Sequence, residues 1–216
     1  MSRVIFSYYH YNADLKIPQH QKEVITKLTD IPFESICYHC DLTPDKIVDF
    51  CVYTLLYERH YDSILILDID CIPLTNQAIN YTFEQAEKGK LIGNIQRANH
   101  IDNDQHLYVG PPAMCFSKDT FEKMNKPSFE FTHRGDVGEE ITYKAEENNI
   151  EIEFYMPSEV EKFPDCGQLW DLKDDMPKFG IGTTYINNDK QEMFYHLFES
   201  RFQQNVELFI NKCKQI

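Results

Sequence analysis

Two aspartates, Asp68 and Asp70, stand one residue apart at the end of the unbroken apolar run Ile64-Leu65-Ile66-Leu67. An unpaired carboxylate at the mouth of a buried strand costs several kcal/mol in lost solvation. Something cationic should answer this pair. A divalent Mg2+ or Mn2+ is the natural partner, because both are hard ions that take carboxylate oxygens and keep positions open for phosphate. The alternative is that Asp70 caps the next turn while Asp68 pairs with a buried Lys or Arg. A second acidic group, Asp136, Glu139 and Glu140, opens a helical stretch at Gly135-Asp136-Val137-Gly138-Glu139-Glu140. A carboxylate there could deprotonate a hydroxyl nucleophile. Asp136 and Glu139 also stand at capping-box spacing, and acids favour a helix N-terminus.

The elements that position these groups follow from periodicity. The opening Arg3-Val4-Ile5-Phe6-Ser7-Tyr8 reads as a first buried strand whose end, residues 7–11, opens onto a ligand. A helix over 18–28 and a strand over 33–38 follow. Thr43-Pro44 then starts a helix with a cap and a first-turn proline, its stripe Ile47, Val48, Cys51, Val52, Leu55, Leu56 ending near His60. The run 63–67 is best read as a central parallel strand covered on both faces. Beyond it we expect a helix over 75–88 and a strand over 91–95. A strand pair follows over 107–116, interrupted by Gly110-Pro111-Pro112. Helices over 118–124 and 136–149, strands over 150–155 and 181–186 and a last helix over 199–213 complete the reading. Polar stretches 99–106 and 161–178 suit surface loops or a lid. The alternation predicts an α/β fold: a mixed, mainly parallel central sheet flanked by helices, with ligands outside the carboxyl ends of its strands.

The stretch Ile64-Leu65-Ile66-Leu67-Asp68-Ile69-Asp70-Cys71-Ile72-Pro73-Leu74 resembles the strand, DxD and following turn of GT-A glycosyltransferases. That resemblance implies a Rossmann-like GT-A fold in one domain, residues 1–216. A nucleotide-binding half would span about 1–100, and an acceptor-binding half with the C-terminal helix about 101–216. It also implies that Mn2+ or Mg2+ on Asp68 and Asp70 bridges the diphosphate of a nucleotide-sugar donor, usually a UDP-sugar. The first strand is where such enzymes seat the base, which points to Ser7, Tyr8 and Tyr9. Trp170, with Asp165 and Asp171, could stack on a sugar ring. In Met193-Phe194-Tyr195-His196-Leu197-Phe198-Glu199-Ser200-Arg201, His196 is similar to a late metal-binding histidine and Arg201 to a cation on the diphosphate. Against the HFxGxxK of glycogenin-like enzymes, Leu197 replaces Phe, Glu199 replaces Gly, and the cation arrives one residue early. Gly138-Glu139-Glu140 resembles the xED motif of inverting members, with glutamate for aspartate. It implies an acceptor base in Glu140, ahead of Glu139 and Asp136. The acceptor would be the hydroxyl of a glycan or other molecule.

A formal charge of -14 and a pI near 4.9 argue against gripping nucleic acid or anionic membrane by bulk electrostatics. The seven cysteines are odd in number and scattered, which suits free thiols in a reducing compartment. The CxxC of Cys37 and Cys40 has no second pair at zinc-finger spacing. No apolar run approaches the roughly 20 residues that span a bilayer, and no export signal is evident, so a cytoplasmic protein is expected. A nucleotidyltransferase is the rival enzyme class. It would carry a Gly-rich basic loop after the first strand, and residues 7–12 contain no glycine. A non-catalytic nucleotide-sugar-binding module is the rival outside catalysis.

Overall fold

The computed structural model describes residues 1–39, 42–163, 170–200 and 202–216. Cys40 of the CxxC pair, Asp165 near Trp170, and Arg201 lie outside the described residues. The chain runs β1 (Arg3–His10), α1 (Lys16–Leu28), β2 (Phe33–Tyr38), α2 (Pro44–Tyr53) with a π-helical last turn (Thr54–Glu58), β3 (Ser63–Asp68) and β4 (Cys71–Pro73). It continues through α3 (Asn76–Glu87), β5 (Leu91–Arg97), β6 (Leu107–Ser117), α4 (Lys118–Lys123), α5 (Glu139–Glu147), β7 (Ile152–Lys162), β8 (Ile181–Ile186), β9 (Glu192–His196) and α6 (Gln203–Cys213).

The strands form a mixed sheet in the order β2-β1-β3-β6-β5-β7-β8-β9-β4. Among the described residues three of its eight pairings are parallel, β1 with β2, β1 with β3, and β5 with β7, and five are antiparallel. The sheet is therefore mixed as expected but not mainly parallel. Part of the reason is the run β7-β8-β9-β4, which is antiparallel throughout, and part is the 98–106 connection between β5 and β6, which carries no helix. Without a crossover helix the chain turns back as a hairpin, and β6 enters between β3 and β5 in the antiparallel sense. Two strands, β4 and β9, escaped sequence reading, each being too short to show a period.

β3 is the hub. Ile64, Leu65, Ile66 and Leu67 are fully buried, and their alternation sends Ile64 and Ile66 to one core and Leu65 and Leu67 to the other. On the first face α2 lays down Ile47, Val48, Cys51 and Val52; on the second α3 supplies Ala78, Ile79, Phe83 and Ala86. α2 has its proline in the first turn, but Thr43 makes no side-chain cap bond. Thr75 does cap α3, its hydroxyl accepting from Ala78 N at 3.0 Å. A third cluster joins Ile17 and Val24 of α1 to Val206 and Phe209 of α6 and to Ile72 and Tyr195.

The expected strand pair over 107–116 is one strand, β6, with its pairing interrupted. Cys115 and Met114 face Ile92 and Gly93 of β5, then the register jumps so that Val109 faces Ile95. Gly110, Pro111 and Pro112 sit in that bulge, beyond Ala113, the last β6 residue paired with β3. Proline has no N–H for a ladder, so two prolines survive in a central strand only where pairing is broken. α5 begins at Glu139 rather than Asp136. Gly138 adopts a left-handed conformation (φ 78°), which no helix can continue through, so 136–138 form a turn. A Cβ on Gly138 would also meet Pro111 Cγ at 2.9 Å, so this glycine lets the turn close on the β6 bulge.

Candidate functional site

Asp68 ends β3, Asp70 sits in the two-residue turn that follows, and His196 ends β9. The two-residue turn after β3 leads into β4, whose pairing with β9 sets Cys71 opposite His196, and Leu197 N donates to Asp70 O at 2.9 Å. One carboxylate oxygen from each aspartate and an imidazole nitrogen thus converge within 4.8 Å of one another. His196 Nε2 lies 3.2 Å from Asp70 Oδ1 and 3.9 Å from Asp68 Oδ2. Asp70 and His196 are buried, and the His196 ring packs on Phe198 at 3.6 Å. Among the described residues no Lys or Arg pairs with either aspartate, so the expected alternative of a buried cationic partner is not found there.

The electrostatics fit a cluster arranged around positive charge. Burial, reinforced by the neighbouring Asp70 charge, pushes the Asp68 carboxyl up to about 6 against the pull of His196 and the Tyr8 hydroxyl. Burial also works against ionised Asp70, yet facing His196 and a hydrogen bond from Ser200 hold it below the ordinary carboxylate range. Tyr8, in register with Asp68, donates its hydroxyl to Asp68 Oδ1 at 2.9 Å. Burial, followed by the charge of Asp68, raises that hydroxyl well above its usual pKa. His196 Nδ1 is buried without a hydrogen-bond partner. Two carboxylate oxygens and one imidazole nitrogen form a donor set that suits Mn2+ or Mg2+, and the nitrogen tilts it toward Mn2+. The residues present fit the ion that the sequence led us to expect.

The cluster forms the floor of a cavity of about 590 Å³. One wall is the end of β1 with Tyr38; the opposite wall is Gln96, Tyr108, Pro111 and Pro112 of the β5–β6 bulge with Asp136 and Val137. Phe198, Glu199 and Ser200 close a third side. The broken pairing of β6 therefore makes the space that the site occupies.

The expected site residues divide sharply. Tyr8, Tyr9, Asp68, Asp70, His196 and Asp136 line the cavity; Ser7, Glu139 and Glu140 do not. Ser7 is fully buried within β1, with Oγ unpartnered. Glu139 is fully buried and accepts from Asn103 Nδ2 at 2.8 Å and Asp136 N at 2.8 Å, with His106 Nδ1 at 2.7 Å. The bond from Asp136 N ties the turn together, but the helix N-cap is Gly138 and Asp136 Oδ1 accepts from Val137 N, so the pair braces the turn before α5 and is not a capping box. Glu140 accepts from Arg134 Nε at 2.9 Å and pairs again with Arg134 Nη2. Asp136 alone of the three faces the cavity, its Oδ1 accepting from Val137 N at 2.7 Å and its Oδ2 3.9 Å from His100. Trp170 packs edge-on against Phe179 and Phe198 and supports the wall from behind. Sequence reading passed over Gln21, Tyr38, Gln96, Tyr108 and Ser200. For Gln21 a signal existed: it falls between Ile17 and Val24 on the apolar face of a helix, where a polar side chain needs a partner.

No protein-family model matches the chain, and no curated protein matches it. Solved structures do show likeness. A197 from STIV is 11% identical with TM-score 0.46, over 89% of this chain and 93% of its own. A protein classed as a nucleotide-diphospho-sugar transferase from Desulfovibrio desulfuricans G20 is 10% identical with TM-score 0.44, over 70% and 78%. The mannosyltransferase PcManGT from Pyrobaculum calidifontis, solved with GDP-Man and Mn2+, is 11% identical with TM-score 0.41, over 77% and 58%. Likeness of this extent carries no chemistry across to the present chain. Among the described residues no helix is long and apolar enough to cross a membrane.

Proposed function

We propose that the chain is a metal-dependent glycosyltransferase of the GT-A type, moving a sugar from a nucleoside diphosphate-sugar, UDP-sugars first, to a hydroxyl of a glycan or other acceptor. The observation that supports it is the convergence of Asp68, Asp70 and His196 on the floor of a cavity that Tyr8, Tyr9 and Asp136 also line. Mn2+ or Mg2+ held by these three residues would neutralise the diphosphate as the sugar departs. The chain's own groups then have distinct tasks. Tyr8 engages Asp68 Oδ1 and leaves Oδ2 turned to the cluster. Tyr9, at the end of β1, offers a ring to the base. Asp136 takes the acceptor proton if configuration inverts, since Glu139 and Glu140 are committed to other partners. Arg201 is retained as a donor to the diphosphate. Residues 1–100 would form the nucleotide half and 101–216 the acceptor half of one cytoplasmic domain.

The test is Mn2+-dependent release of nucleoside diphosphate from a panel of UDP- and GDP-sugars by the parent and by folded Asp70→Ala. Release by the parent alone identifies the donor. Binding without release across the panel, with metal present, moves the protein to the binding-module class; neither binding nor release overturns both readings, and release of pyrophosphate from a nucleoside triphosphate moves it to the nucleotidyltransferases.

A further inference from the structure

Gln21 is fully buried on α1 and takes no part in the cavity wall. Its Nε2 donates to two backbone carbonyls, Asp68 O at 2.6 Å and Cys71 O at 2.7 Å. Those carbonyls bracket the turn that carries Asp68 and Asp70, and Cys71 is the strand partner of His196. One amide therefore grips the backbone on both sides of the proposed metal ligands. The third restraint on the turn is Leu197 N on Asp70 O. Both Gln21 partners are acceptors, so only an NH2 group of this reach serves: glutamate would set oxygen against oxygen, and methionine would fill the space without bonding. Gln21 Oε1 meanwhile is buried with no partner, so the side chain is oriented by the turn and not by its own saturation.

We infer that Gln21 is a positioning residue for the metal site, a clamp that holds the Asp68–Cys71 turn in ligating geometry. This rests on the proposed metal-dependent function and assigns that site its supporting shell. Groups that orient ligands from outside the first ring of contacts typically govern metal affinity by roughly 10–100-fold. A residue that merely packed α1 against β4 would change stability and leave affinity alone.

The experiment titrates Mn2+ alone into the full chain, reading the electron paramagnetic resonance signal of free Mn2+, for the parent, Gln21→Met, Gln21→Leu and Val24→Ala. Val24 is buried on the same helix and bonds nothing in the turn. The expected result is a Kd raised roughly 10–100-fold in both Gln21 variants, with native far-UV circular dichroism. Val24→Ala should lose comparable thermal stability yet keep its Kd within about twofold of the parent. Equal Kd in parent and a folded Gln21 variant overturns the clamp, as does a Kd that tracks loss of Tm across all three variants. A parent that binds no Mn2+ removes both the clamp and the metal reading. A parent that binds Mn2+ but cleaves no nucleotide-sugar ends the transferase reading while the Gln21 comparison still stands.

Discussion

Two acidic clusters at the ends of secondary structure look alike on paper and differ completely in what surrounds them. Around Glu139 and Glu140 every carboxylate has its answer inside the protein: Asn103, His106 and a backbone N–H for one, the Arg134 guanidinium for the other. Around Asp68 and Asp70 the described partners are the His196 imidazole and the Tyr8 and Ser200 hydroxyls, with no Lys or Arg among the described residues, and the burial penalty remains visible in the raised Asp68 carboxyl. A satisfied cluster holds a turn and a helix in place. A buried cluster whose described partners include no Lys or Arg is the one on which the proposed metal site rests. Asp136 sits between these cases, joined to the satisfied group through its backbone while its carboxylate faces the cavity.

Substitutions can break this contrast, the most severe first. Asp70→Asn should weaken Mn2+ binding by roughly 100-fold or more, since losing a ligand must exceed the effect of losing its support; calorimetric titration reads it. Asp136→Asn should lower transfer to acceptor by roughly 10²–10⁴-fold, with Mn2+ affinity unchanged, whereas Glu140→Gln should leave the transfer rate within about tenfold of the parent. If the two exchange places in a steady-state assay, the base lies in the helix after all. Glu139→Gln should act on stability instead, costing about 1–3 kcal/mol through donors left unpaired in a buried site, as measured by urea unfolding. Tyr8→Phe should be mildest, weakening Mn2+ by roughly tenfold at most.

Acidity offers a further way to sharpen the comparison. In the metal-free protein the Asp68 carboxyl stands near 6, above its ordinary value. The folded chain therefore keeps a proton there that the unfolded chain has released. The stability this contributes is complete below about pH 4 and is lost as pH rises through about 6. Asp70 is lowered and works in the opposite sense, its contribution vanishing in acid. Mn2+ requires ionised Asp68, so metal-induced stabilisation should grow as pH rises through about 6. Thermal melts with and without Mn2+ should show that growth in the parent and a small, flat effect in Asp68→Asn.

Much of this site is legible in the sequence. A strand as apolar as 64–67 has to be buried, and Asp68 and Asp70 directly after it have to lie at its mouth; both statements need only local pattern. Helix α2, with its stripe from Ile47 to Leu56, and the exact span of β2 are of the same kind. The first strand was legible too, but not that Ser7 lies too deep in the sheet to line the cavity while Tyr9, two residues on and on the same face, reaches it.

The sequence by itself determined the chemistry available: a strand-end carboxylate pair, a late histidine, an acidic helix start and a surface too negative to hold anions without a cation. Tertiary structure decided which of these meet. His196 reaches Asp70 across 126 residues only because β9 pairs with β4. Asp136 faces the cavity while Glu140 does not because Gly138 turns the chain against Pro111 and because Arg134 claims Glu140. The cavity itself exists because a helix-free connection sends β6 back antiparallel and its two prolines break the ladder beside the site. Periodicity and residue chemistry are local and can be read from neighbours in the chain. Register, strand order and the choice of ion-pair partner are set by contacts between distant segments, and those form only when the whole core closes.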